Sequence, residues 1–452
     1  MSIAAATLIT ALRAACIAWL AVHAAARGVR AFRGLRASVS GASLWLMLLT
    51  LLVPSMVLGY RFATSRALAG GWAAELLYST LVLMRIVPLA FILVWVSPPS
   101  WTPQSSHSFA LMGRTERHRR WLWQLRGWWG EMATVFCVVF LFAFQEFDLA
   151  ACMNARSWTV ALFDAQAGGL ALGESLRLML WPLAVECAVL GTLVFRARNH
   201  GQRTGPEAPS NERGIAPFLL LLIIAELFFL FAGPVVVLGQ GLAGIPALWG
   251  NFALAREVQN SFVLALVTSI AAWLLAGWAI EKRMRIAVIA LPGLLGGLLV
   301  SLLLLALFQV PPLHLLRASP LPVLVALVLT LMPAALFVRH ILACGLRSES
   351  AHAATLNGGM QARWRVLKRP ALWGGAVLFL QAYGDFTANS LLAPPSLTSA
   401  FSRIFNLMHY GQTSVLSAML LVTLAAPLLA LVGVTALART CTSRRDCEGT
   451  KI

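Results

Sequence analysis

Charged residues are scarce in this sequence: they make up 12% of its 452 residues, whereas 59% are hydrophobic. A water-soluble domain of this size needs a polar surface that such a composition cannot supply. The chain also lacks a GxxxxGKS/T phosphate loop, an HExxH motif and a GxSxG motif, and its seven cysteines show no metal-binding or disulfide spacing. These absences argue against a soluble protein, an ATPase with its own phosphate loop, and the zinc and serine hydrolases that carry those motifs.

Long hydrophobic runs dominate what is present. A helix needs about 20 apolar residues to cross a bilayer. We therefore expect an all-α integral membrane protein with about eleven transmembrane helices. They are predicted near residues 5–26, 43–62, 76–97, 132–152, 173–195, 216–240, 260–280, 286–309, 320–343, 371–393 and 414–437.

The net charge of +18 is concentrated in alternate connections between these runs. If the loop that follows the first run is cytoplasmic, the cytoplasmic segments hold 25 of the 35 Lys and Arg residues. This positive-inside bias predicts a multi-pass protein of the cell inner (plasma) membrane, with its N-terminus outside and its C-terminus in the cytoplasm. The basic residues therefore indicate orientation next to membrane lipid, and nucleic acid is not an expected partner.

An internal repeat relates the two halves of the sequence. Residues 141–163 align with 380–402 without a gap, which matches Glu146 to Asp385. Farther upstream, shorter stretches align in the same order. We expect two parallel copies of five helices, with one extra helix between them. The predicted domains are a first half (1–195), a cytoplasmic linker (196–215) and a second half (216–452).

A small, basic segment at 349–370 lies between two apolar runs on the cytoplasmic side. Apolar residues recur in it at spacings of three and four, as on one face of a helix, and Gly358 with Gly359 interrupts the pattern. The segment 107–127 stands at the matching place in the first half. Such segments serve either as interfacial helices on anionic lipid or as docking surfaces for another protein.

The segment resembles the cytoplasmic coupling loop of type I ABC importer permeases. That family's signature is Glu-Ala-Ala, three residues, Gly, and a Leu-Pro pair about thirteen residues later. The matching residues here are His352, Ala353, Ala354, Gly358 and Pro370. His352 replaces the Glu, and the distance from Gly358 to Pro370 is one residue shorter than in the family.

The resemblance is strongest over 256–437, the ABC transmembrane type-1-like part, and the first-half loop keeps little beyond Gly113. Two halves fused in one chain look most like the iron(III) and thiamine permease group. The resemblance implies a permease subunit that is not itself an enzyme and holds no cofactor. Its implied partners are a separate ABC ATPase, as a dimer, on the coupling loops and a periplasmic substrate-binding protein, with an iron(III)-type substrate as the expected cargo.

Two other classes compete with this reading. An ion- or proton-coupled secondary transporter would also have repeats and buried acids. An intramembrane enzyme would need a constellation of His, Cys, Ser or carboxylate side chains within the spans, and the sequence shows none.

Acidic residues within the apolar runs are expected to have an ion-pair partner or a functional role, because inserting a charge there costs about 2.5–3.5 kcal/mol. Arg85 and Glu146 lie at similar depths on successive helices, so we expect them to pair, with a pathway role for Glu146 as the alternative. Asp385 has no matching cation. We expect Asp385, with Tyr383, to face a water-accessible pathway, unless it is simply hydrated at the outer interface.

The connection 393–414 contains an amphipathic pattern formed by Phe401, Ile404, Phe405 and Met408. A short helix lying at the membrane surface is the usual structure of such a stretch. In the family that the chain resembles, this region receives the binding protein, which makes Arg403 and His409 candidate contacts. A lone His409 does not indicate a metal site, and none is expected.

Overall fold

The computed structural model describes residues 2–33, 53–97, 129–199, 224, 228, 233–248, 252–345, 371–408 and 414–448. Throughout these residues the regular structure is helical, without strands, so the expected all-α class is confirmed. The described α-helices are α1 (Ile3–Arg33), α2 (Ser55–Ala69), α3 (Gly71–Val96), α4 (Trp129–Phe144), α5 (Asp148–Met153), α6 (Trp158–Ala167), α7 (Leu172–Asn199), α8 (Gly233–Gly244), α9 (Phe252–Ala279), α10 (Arg283–Leu294), α11 (Gly297–Leu307), α12 (Leu321–Gly345), α13 (Ala371–Tyr383), α14 (Thr387–Leu392), α15 (Ala400–Met408) and α16 (Ser414–Glu448).

The chain divides into two compact units. Unit 1 comprises residues 1–234 and 291–306, and unit 2 comprises 235–290 and 307–452. In unit 1, α1 packs against α3 and α4, and α7 packs against α1, α4 and α6. In unit 2, α9 packs against α12, α15 and α16. Each unit therefore has a long first helix at the centre of its packing.

Five helices are long and apolar enough to cross a membrane, and a sixth span is added if one bent pair counts as a single crossing. Their apolar composition and length agree with five of the predicted runs. Large apolar side chains along them are exposed, for example Leu274 at 64% and Trp278 at 51%, as expected for a surface that faces lipid. The spans are Ile3–Val29, Gly71–Val96, Leu172–Arg196, Ala253–Ala279 and Leu321–Leu342.

Three predicted runs are not continuous helices. The run at 286–309 bends by 108° between α10 and α11, where Gly296 adopts a positive φ of 79°. The run at 132–152 breaks between α4 and α5, and the run at 371–393 breaks between α13 and α14. A positive φ is strained for most residues and open to glycine, and hydropathy does not report it.

Candidate functional site

The break between α4 and α5 is organised by Glu146. Its carboxylate accepts a hydrogen bond from the backbone N–H of Leu149 (2.8 Å), in the first turn of α5. It also lies 3.4 Å from Nη1 of Arg85 on α3. The pairing of Arg85 with Glu146 that the sequence predicts is therefore confirmed. The carboxylate both caps a short helix and holds it to a neighbouring helix.

A second carboxylate lies in the same helix start. Asp148 is the first residue of α5, where a negative charge is favoured by the helix dipole. Its Oδ2 accepts a hydrogen bond from the hydroxyl of Ser55 (2.9 Å), the first residue of α2. Helix α2 packs along α5. Asp148 thus ties the two helices together.

The break between α13 and α14 has Asp385 in the same role. Its Oδ1 accepts a hydrogen bond from the N–H of Ala388 (2.9 Å), and its carbonyl accepts one from Nδ2 of Asn389 (2.8 Å). The residue is half-buried. Its carboxylate therefore caps α14, a role that the sequence alone did not reveal.

Tyr383 lies in the packed interior of unit 2. Its side chain is 4% exposed, and its hydroxyl donates a hydrogen bond to the carbonyl of Thr423 on α16 (2.9 Å). Its ring contacts the rings of Phe379 and Phe401. The structure thus gives Tyr383 the role of joining α13 to α16, in place of the water-facing position expected beside Asp385.

The two breaks share their internal geometry. Helix α13 ends 239 residues after α4 ends. Helix α14 likewise begins and ends 239 residues after α5. The ring after each break packs on a ring of the next short helix: Phe147 on Phe163 with centroids 4.8 Å apart, and Phe386 on Phe405 at 4.3 Å.

The short helices α6 and α15 are attached in the same way to the first long helix of their unit. The N–H of Trp158 donates to the hydroxyl of Thr10 on α1 (3.3 Å). The N–H of Ala400 donates to the hydroxyl of Ser261 on α9 (3.0 Å). Each hydroxyl in turn donates to the carbonyl four residues earlier. A serine or threonine on the long helix thus accepts a buried N–H from the first turn of each short helix.

Helix α15 confirms the predicted amphipathic helix, with Phe401, Ile404 and Phe405 on its buried face. Arg403, the candidate contact for a binding protein, forms an ion pair of 2.9 Å with Glu257 on α9. The Arg403 side chain is 31% exposed, so the ion pair is only partly buried. His409 lies outside the described residues.

The ends of α12 and α13 meet α9 at a tightly packed junction. The guanidinium of Arg339 lies 4.1 Å from the centroid of the Trp273 ring, and its Nη2 donates to the Trp273 carbonyl (2.9 Å). A Cβ added at Gly277 would lie 2.9 Å from that Nη2, and one at Gly374 would lie 2.5 Å from Cγ1 of Val338. These five residues form the base of the loop between α12 and α13, which we call the loop base.

The coupling-loop predictions fall on residues that the structure leaves undescribed. This holds for the segment 349–370 with His352, Ala353, Ala354, Gly358 and Pro370, and for Gly113 within 107–127. Most of the linker 196–215 and of the run 216–240 also lies outside the described ranges.

Two charged sites were missed by the sequence analysis. Arg13 forms an ion pair of 3.0 Å with Glu75, donates to the carbonyl of Arg156 (3.1 Å) and lies over the ring of Tyr78. Glu186, in the middle of α7, is fully buried. The signal for Glu186 was present, since an acid within an apolar run is unusual. The Arg13 pair joins two helices, and its partner Glu75 lies just before the predicted run 76–97.

Comparison with known proteins found no match among family models, curated proteins or solved structures. In the described part of the chain, no group of three or more His, Cys, Asp or Glu residues is placed to hold a metal ion. The class that the structure defines is an all-helical protein whose long apolar helices are suited to a membrane.

Removing Arg85 tests its pairing with Glu146. We expect Arg85→Met to lower the free energy of unfolding in mixed micelles by about 2 kcal/mol, because it leaves a largely buried carboxylate without its cation. The double variant Arg85→Met/Glu146→Gln should recover more than half of that loss. Arg177→Met removes an exposed cation of α7 and is the matched control. Parental stability of Arg85→Met would contradict the pairing.

Two substitutions of Asp385 test whether its carboxylate caps α14. Asp385→Ala should cost about 1 kcal/mol of stability, because the N–H of Ala388 loses its acceptor, whereas Asp385→Asn keeps an acceptor oxygen and should cost little. Unfolding titrations of both variants give this comparison. Equal losses would show that the charge, and not the cap, is what stabilises the break.

Transport at the parental rate by Asp385→Ala would remove the pathway hypothesis.

The loop base offers a pair of adjacent glycines for comparison. Gly374→Ala should lower stability by about 1–3 kcal/mol, because the added Cβ meets Val338. A Cβ at Gly375 has no neighbour within 4 Å, so Gly375→Ala should leave stability unchanged or raise it by up to about 1 kcal/mol. Thermal unfolding in detergent measures both. Equal behaviour of the two variants would contradict the packing described for the junction.

Proposed function

We propose that this chain is the transmembrane permease subunit of a binding-protein-dependent ABC importer. In this proposal the chain forms the path for a small solute across the inner membrane, and a separate ATPase drives transport. The observation that carries the proposal is the segment 349–370, whose Ala353, Ala354, Gly358 and Pro370 resemble the family's coupling motif.

The geometry of the loop base supports a mechanical role for that segment. A coupling loop must pass movement of an ATPase to the helices on either side of it. Arg339 and Trp273 hold the end of α12 to α9, and Gly374 lets the start of α13 pack closely against Val338. Because these helix ends are packed together, a displacement of the loop would move α9, α12 and α13 as a group.

The shared geometry of the two helix breaks supports the proposal of two parallel repeats. In each unit, a carboxylate just before a short helix accepts the N–H three residues later. An aromatic pair follows, and a hydroxyl on the long first helix receives the next short helix. Two such halves, each with a cytoplasmic loop, would suit a two-fold ATPase dimer. The count of about eleven helices, with the N-terminus outside, belongs to the same proposal.

ATP hydrolysis would come from another chain, because this sequence has no phosphate loop. The iron(III)-type cargo and the periplasmic binding protein rest on the resemblance alone. For the binding protein, α15 offers the partly exposed side chain of Arg403 beside Glu257.

A second candidate function, an ion- or proton-coupled secondary transporter, is favoured by one observation. Glu186 is a fully buried carboxyl in the middle of a long apolar helix, and it lies near a broken helix pair through Gln145. Buried acids beside discontinuous helices are typical of ion-coupled transporters.

Co-purification from the native membrane tests the leading proposal. The tagged protein is extracted in mild detergent, and mass spectrometry identifies the accompanying chains. We expect a nucleotide-binding subunit that is reduced at least tenfold by Gly358→Arg or Ala354→Glu, because both place a bulky charge in the predicted docking face. Ala362→Arg, in the same segment but beyond the Gly358-Gly359 interruption and outside the motif residues, is the matched control. If no ATPase accompanies the intact protein under conditions that preserve a known importer, the proposal fails and the secondary transporter takes its place.

A further inference from the structure

Glu186 has its carboxyl group in a buried position within an apolar helix, where an ionised carboxylate without a partner is not stable. It lies 14 residues after the start and ten residues before the end of the apolar span Leu172–Arg196, which puts it about 15–21 Å from either end. Its side chain is fully buried, and neither carboxyl oxygen has a hydrogen-bond partner among the described residues. An ionised carboxylate in such a place is strongly disfavoured.

Among the described residues, no cation is paired with this carboxyl. Helix α7 packs against α1, α4 and α6, and none of the described ionisable groups on these helices or on α7 forms an ion pair or hydrogen bond with Glu186. The segment from Val288 to Leu307 contains no ionisable residue. The ionisable groups described on these helices are Arg13, Cys16, His23 and Arg27 of α1, Cys137 of α4, Asp164 of α6, and Glu174, Arg177, Cys187 and Arg196 of α7.

Gln145 is the polar side chain that approaches the Glu186 carboxyl. Its Nε2 donates a hydrogen bond of 2.7 Å to the carbonyl of Leu294, the last residue of α10. Nε2 has two N–H groups, so one can donate to the Leu294 carbonyl while the other faces the Glu186 carboxyl. A Cβ at Gly296 would lie 2.8 Å from Cδ of Gln145, so the glycine at the bend makes room for this amide.

We propose that Glu186 is a proton-binding site at the bend between α10 and α11. In the arrangement seen here the carboxyl carries one proton and is neutral, which removes the cost of burying a charge. Releasing the proton would leave a buried carboxylate beside the Gln145 amide, which would favour reorientation of Gln145 and a change at the bend. Gln145 and Gly296 are positioning residues in this account.

A proton fits this site better than a metal cation. Metal ions such as Ca²⁺ take six to eight oxygen ligands, at roughly 2.3–2.6 Å. The described side chains supply the two oxygens of Glu186 and Oε1 of Gln145. A single carboxyl next to a single amide is sufficient for one proton. The site does not depend on whether ATP or an ion gradient drives transport, so it goes beyond the proposed function.

Reaction with dicyclohexylcarbodiimide tests the proposal on the full-length protein in membrane vesicles. This apolar reagent adds to a protonated carboxyl in an apolar environment, and an acyl shift then gives a stable N-acylurea that mass spectrometry locates. We expect modification of Glu186 that falls about tenfold per pH unit above its midpoint, as protonation equilibrium requires. Glu75 and Glu257, which are paired with arginines, serve as controls and should be modified much less.

Variants make the result specific to the site. Glu186→Gln should abolish the adduct while the protein remains folded, because glutamine has the shape of the neutral acid. Gln145→Leu should shift the pH midpoint of modification, which a purely structural role for Gln145 would not do. Absence of the adduct, modification independent of pH, or protection by Na⁺ or Mg²⁺ at constant pH would each overturn the proton assignment. None of these outcomes bears on whether an ATPase co-purifies, so the two proposals fail separately.

Discussion

Helix breaks within apolar segments are the constraint on which this structure depends. Each break exposes backbone N–H groups that lipid cannot satisfy. Glu146 and Asp385 solve this problem by accepting the N–H three residues later, at the start of α5 and α14. Because the caps fix where the short helices begin, they also place the aromatic pairs and the hydroxyl contacts that attach α6 and α15 to the long helices. The carboxylates of Glu146 and Asp385 therefore have a structural role in capping these short helices.

The sequence predicted the elements that depend on composition and failed on those that depend on backbone geometry. The five long spans followed from uninterrupted apolar runs, and α15 followed from the spacing of Phe401, Ile404 and Phe405. The break at Gly296 was missed, because hydropathy averages over the residues where a chain turns. Arg85 and Glu146 were predicted to pair from their depth, whereas Arg13 and Glu75 were not, since Glu75 was not recognised as lying within a span.

Two regions with different packing carry the proposed functions. The loop base in unit 2 is closely packed, with Arg339 over the Trp273 ring and with Gly277 and Gly374 in close contact with their neighbours. At the bend in unit 1, Gln145 donates a hydrogen bond to Leu294 beside the buried Glu186, where we propose that a proton binds. In the proposed function, the packed region would receive force from the ATPase and the bend would change shape.

The central claim is that two parallel halves each present one coupling loop to a shared ATPase dimer. Electron cryo-microscopy of the protein, extracted from its native membrane with its bound partners, tests this claim most directly. The account predicts that the segments 107–127 and 349–370 emerge on the same side of the membrane, each seated on one nucleotide-binding subunit. Segments on opposite sides, or a map with no such subunit, would contradict it.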